Sequence, residues 1–104
     1  MKMFLITYRG IPKHGSKEAN EVGGAYINCW IKERNFVNAD IIARKEIESA
    51  NWKVESLEEV IQVDKKYYSH DDPKREYYEQ ALIDNTVLVF HTYPKRKKMI
   101  KTKH

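Results

Sequence analysis

Ala25-Tyr26-Ile27-Asn28-Cys29-Trp30-Ile31-Lys32 alternates without a break. In an extended chain successive side chains point to opposite faces. Ala25, Ile27, Cys29 and Ile31 therefore share one face, and Tyr26, Asn28, Trp30 and Lys32 share the other. Small and branched residues suit contact with a helix. The first face is thus expected to be the covered one, and Tyr26, Asn28 and Trp30 to lie on an open sheet face.

Residues 3–9, from Met3 to Arg9, are apolar, aromatic or β-branched for most of their length and predict a strand. Gly10, Pro12 and Gly15 end it, and a long polar loop runs on to Gly24. After the strand 25–33, Asn38 is a good N-cap for a helix over 39–50. Ala39, Ile42, Ala43, Ile47 and Ala50 recur at helical spacing, and Asn51 suits a left-handed end. Residues 52–64 are extended but imperfectly alternating, so a bulge or break is expected near Ser56. Asp72-Pro73 starts a second helix that runs to about Ile83, and Asn85 punctuates it. Thr86 to Thr92 is a last strand, whose run Val87-Leu88-Val89-Phe90 predicts a central, two-sided position before Pro94.

The order β-β-α-β-α-β predicts an α+β fold: a two-layer sandwich, mainly antiparallel, with both helices on one sheet face. The chain of 104 residues allows one domain, read as residues 1–94 followed by a basic tail, 95–104. The net charge of +4 belongs to that tail. It holds six cations and no acid, whereas residues 1–94 hold 13 basic and 15 acidic groups. No apolar run approaches the roughly 20 residues of a membrane helix. The N-terminal stretch lacks the apolar region and cleavage site of a signal peptide. A single cysteine, Cys29, cannot form an intramolecular disulfide. Together these predict a cytoplasmic protein with no membrane association.

Three segments read together resemble a family of small uncharacterised bacterial proteins of similar length. They are Gly23-Gly24-Ala25-Tyr26-Ile27-Asn28-Cys29-Trp30-Ile31, Asn51-Trp52-Lys53-Val54-Glu55, and Tyr77-Tyr78-Glu79-Gln80-Ala81-Leu82-Ile83-Asp84 leading to Val89-Phe90-His91-Thr92. The resemblance spans most of the chain and implies no activity.

Motifs for chemistry are incomplete. Gly10-Ile11-Pro12-Lys13-His14-Gly15-Ser16-Lys17 nearly spells a phosphate-binding loop, but Ser16 and Lys17 are transposed and Pro12 removes a backbone donor. Ser69-His70-Asp71-Asp72 has ligand types without ligand spacing, and Asp72 is explained as a cap. Cys29 reads as a core thiol, and a Cys29/His91 pair would require both side chains on one face. No cofactor, metal or catalytic residue is therefore expected. The leading expectation is a non-enzymatic module that binds a protein or a second copy of itself. Its concrete form is an immunity- or antitoxin-like protein that covers a toxin. Tyr26, Asn28, Trp30, Tyr67, Tyr68 and Glu76 are the expected contact residues, since the middle of the chain is acidic with interleaved tyrosines. The alternatives are an RNA-binding module using the Tyr26/Trp30 face with the basic tail, and a small enzyme using His91 or His70.

Overall fold

The computed structural model describes residues 1–95. Two long strands lie at its centre, β1 (Lys2–Pro12) and β2 (Val22–Glu33), and a 3-10 turn at Lys17–Asn20 interrupts the loop between them. Helix α1 (Phe36–Ser49) leads to strand β3 (Trp52–Val63), and α2 (Arg75–Asp84) leads to β4 (Thr86–Pro94). The strands form one sheet in the order β3-β1-β2-β4, with every neighbouring pair antiparallel. The α+β class and antiparallel sheet expected from the pattern are present.

Most local signals hold, but Gly10 and Pro12 do not end β1. Pairing with Ala25, Val54 and Trp52 keeps them in the sheet, and β2 already begins at Val22, so the loop is shorter than the expected run to Gly24. Asn51 and Asn85 both have positive φ, at 72° and 70°, and terminate the helices that precede them. The β1–β3 register shifts between Thr7 and Tyr8 and again between Arg9 and Gly10, which brackets Ser56 as the alternation of β3 predicts. Helix α1 starts earlier than expected: Asn35, not Asn38, is the cap, and its side chain accepts from the Asn38 N–H at 2.9 Å. Helix α2 starts later than expected: its cap position is Lys74, with no side-chain cap, and Asp72 instead accepts from the Lys74 N–H at 2.9 Å in the turn before the helix.

Two expectations about the sheet are corrected. Strand β4 is an edge, not a central strand. The two helices also lie on opposite faces. Helix α1 sets Ala39, Ala43 and Ile47 against Phe4, Ile6, Tyr8, Ile27, Cys29 and Ile31. Helix α2 sets Tyr78 and Ala81, with Tyr68 from the preceding segment, against Met3, Leu5, Trp30 and Val63. Both corrections have one cause. Met3-Phe4-Leu5-Ile6 and Val87-Leu88-Val89-Phe90 are apolar on both sides, so both faces need cover. Leaving Trp30 in water would forgo burial of roughly 200 Å², on the order of 5 kcal/mol. The edge strand reads as central because its side chains pack into both clusters, Leu88 and Phe90 on one face and Val87 and Val89 on the other.

The Tyr8 hydroxyl ties α1 to β1 by donating to Asp40 at 2.5 Å, and Arg44 pairs with the same carboxylate at 2.9 Å. The Arg44 guanidinium lies 5.3 Å from the centre of the Tyr8 ring. Among the described residues no helix is long and apolar enough to cross a membrane.

Candidate functional site: the open half of the second sheet face

Helix α2 has ten residues and β2 has twelve. At about 1.5 Å per helical residue and 3.4 Å per strand residue, such a helix spans less than half of such a strand. It covers the end of the sheet around Leu5, Trp30 and Val63. The other end of that face stays open.

The sheet register sets the contents of this open half. Ser56, Arg9, Tyr26 and His91 form one row across all four strands, because Arg9 pairs with both Ser56 and Tyr26, and Tyr26 pairs with His91. Thr7 and Asn28 are opposite each other in the next row toward α2, with Thr7 Oγ1 donating to Asn28 Oδ1 at 2.9 Å. On the far side Tyr93 pairs with Gly24. Its ring crosses the backbone there: a Cβ on Gly24 would meet ring Cζ at 2.7 Å and the Gly10 carbonyl oxygen at 2.8 Å. The Gly23-Gly24 pair is thus what admits Tyr93.

Tyr93 and Tyr26 have ring centres 5.9 Å apart. Arg9 Nε donates to the Tyr93 hydroxyl at 3.3 Å. This contact is the main cause that pushes the guanidinium further above its usual range, and an arginine is a cation at any ordinary pH. Arg9 and Tyr93 also form the ridge between two cavities. One of about 590 Å³ runs along Ile11, Pro12, Ala19, Val22 and Lys95. The other, about 470 Å³, is lined by Tyr26, His91 and Thr92 as well. Both fall in the size range of ligand pockets.

The sequence-derived contact residues divide. Tyr26, 46% exposed, and Asn28 belong to the open half. Trp30 does not: it is 0% exposed, with its ring 5.2 Å from that of Tyr77 and its Nε1–H donating to the Tyr68 hydroxyl at 2.8 Å. Tyr68 is buried with it, so neither offers a contact surface. Tyr67, 55% exposed, and Glu76 are on the surface at the α2 end. Arg9 and Tyr93 were missed. The signal for Arg9 was parity, since Tyr8 takes the α1 face and Arg9 must take the other. The signal for Tyr93 was the glycine pair.

The chemical alternatives lose their partners. Cys29 lies on the α1 face, opposite to His91, and burial pushes its thiol up to about 12. It is a core residue, not a nucleophile paired with His91. His70 Nδ1 lies 3.1 Å from Arg75 and is held by that guanidinium. The groups beside His91 in its cavity are Arg9, Tyr26, Thr92 and Tyr93. Gly10 to Pro12 belong to β1 and form no phosphate cradle. Among the described residues no three His, Cys, Asp or Glu side chains converge as a metal site.

No family model matches this chain. No curated protein and no solved structure matches it either.

Proposed function

We propose that this chain is a binding module and that it holds single-stranded nucleic acid on the open half of the sheet. The observation that carries this reading is the row Arg9, Tyr26 and His91 with the Tyr93 ridge beside it. Two aromatic rings on a sheet face accept stacked bases, and a fixed cation beside them accepts a phosphate. Two cavities flanking one ring suit successive nucleotides. Lys95 lines the larger cavity, and six of the ten residues from 95 to 104 are Lys or Arg. Residues 96–104 lie outside the described residues and enter here by charge alone. Such a segment adds sequence-independent, salt-dependent affinity.

The test is anisotropy titration with labelled single-stranded RNA and DNA at several salt concentrations. Binding should weaken steeply as salt rises. Tyr26→Ala, Tyr93→Ala and Arg9→Ala should each weaken it by about tenfold, the equivalent of roughly one lost stacking or phosphate contact. Thermal melts confirm that each variant is folded. Absence of binding at low salt, or binding that these variants leave unchanged, overturns the reading. Comparison of the RNA and DNA arms shows which strand is preferred.

The exposed Tyr67 ring with Glu76 on α2 favours a second reading, in which that end docks on a basic protein as an antitoxin or immunity protein does. Tyr67→Ala with Glu76→Lys should then abolish capture of that protein and leave nucleic-acid binding intact. Burial of Trp30 and Tyr68 takes two rings away from this surface, which places it second.

A further inference from the structure

The two edges of the sheet are built differently. Edge strand β3 carries Lys53, Glu55, Glu58 and Glu59, and its pairing with β1 is broken by two register shifts. Charges and bulges are the usual devices that stop a sheet edge from pairing with another chain. Edge strand β4, Thr-Val-Leu-Val-Phe-His-Thr-Tyr-Pro, has no Asp, Glu, Lys or Arg. Its pairing with β2 is regular from Gly24 to Ile31, and its only shift lies at the far end, between Val22 and Gly24. Thr86 to Phe90 all remain half-buried, with Val87 and Val89 packed on the α2 side and Leu88 and Phe90 on the α1 side. This is a long, regular, uncharged edge whose apolar side chains lack neighbours on one flank among the described residues.

We infer that the free edge of β4 pairs with β4 of a second copy of this chain, antiparallel about a two-fold axis, to make one continuous eight-stranded sheet. Three features select this occupant. First, a two-fold pairing uses the same edge twice and closes at two copies, whereas β4 on β3 of another copy is head-to-tail and leaves edges free unless a ring closes. The bulges and carboxylates of β3 oppose that second arrangement. Second, β4 placed beside itself brings no like charges together within the strand. Third, the cationic segment begins immediately after β4. Antiparallel pairing of nine residues places the two Lys95 positions, where the segments begin, roughly 30 Å apart, several Debye lengths at physiological salt. Parallel pairing would set them side by side. The inference does not depend on what the open half-face binds, since it uses backbone edge groups and not the side chains of that face.

The experiment is light scattering and sedimentation of the full chain over a range of concentrations, with amide hydrogen exchange on β4. The expected result is a dimer in which outward-facing β4 amides exchange slowly and lose protection on dilution. Thr86→Lys with Thr92→Lys sets cations near both ends of β4, so every antiparallel register brings cations of the two chains close together. That variant should be a folded monomer by thermal melt. A chain that stays monomeric at every concentration overturns the inference. So does a dimer that the Thr86/Thr92 lysines leave intact but that Val60→Lys on β3 dissociates.

Discussion

Trp30 adjoins Cys29 in sequence and shares none of its surroundings. Cys29 faces α1 among Ile27 and Ile31, whereas Trp30 faces α2 beside Tyr77. The indole N–H is the polar atom that burial makes costly, and the Tyr68 hydroxyl is its partner. Burial pushes the Tyr68 hydroxyl pKa up, and the bond from Trp30 works in the opposite direction. Tyr68→Phe keeps the ring and removes the acceptor. It should destabilise the fold by about 1–3 kcal/mol in urea titration, because the indole N–H is then buried without a partner. Trp30→Phe added to Tyr68→Phe should cost less than the sum of the single changes, since no orphaned donor remains. A loss below about half a kcal/mol for Tyr68→Phe would mean that water reaches the indole.

Helix α1 presents two kinds of isoleucine. Ile47 is fully buried against the sheet, and Ile41 is 53% exposed on the outer surface. Ile47→Ala should cost about 2–5 kcal/mol, since it leaves a cavity between helix and sheet. Ile41→Ala should stay within about half a kcal/mol. Equal effects in a denaturation series would mean that the helix is rotated about its axis. Helix α2 contributes by being short. Its ten residues protect the Trp30 end and leave the row from Arg9 to His91 to solvent. An added turn of apolar helix would cover part of that row, so the length of one element determines whether the face is available.

Three buried acids spread over the molecule make its stability depend on alkaline pH. Burial is the largest cause raising Tyr8, Cys29 and Tyr68, and the hydrogen bond to Asp40 raises Tyr8 further. A free thiol titrates near pH 8.5 and a free phenol near pH 10. Above those values the unfolded chain sheds protons that the folded chain keeps, so it binds fewer protons and stability falls as pH rises. The stabilisation is complete below about pH 8.5. Cys29, held up to about 12, starts the decline, and the tyrosines steepen it above about pH 10. Urea midpoints measured across this range should show that profile. Cys29→Ala should remove the part that lies between about pH 9 and 10, before phenols ionise. A profile flat to the phenol range in the unaltered chain would show that the thiol titrates freely in the folded state.

Residue order alone determined the elements and the ends of both helices, but not where α1, α2 and β2 begin or how far β1 runs. Alternation marked β2, helical spacing marked the buried stripe of α1, and Asn51 and Asn85 marked turns that require positive φ. The imperfect pattern around Ser56 marked the shifted register of β3. Each of these depends on residues a few positions apart, whose steric and capping preferences act locally. Alternation also showed that the faces of β2 differ, but it could not say which helix covers which face. Any apolar surface stabilises any helix that reaches it, so that choice rested on the whole set of apolar surfaces needing cover. The open half-face was only partly legible, through Tyr26 and Asn28, for a related reason. Arg9 and Tyr93 stand 84 positions apart, and only the order β3-β1-β2-β4 and its register bring Nε within 3.3 Å of the hydroxyl. That order buries two apolar clusters, one on each face of the sheet, a collective energy that no single stretch of sequence carries.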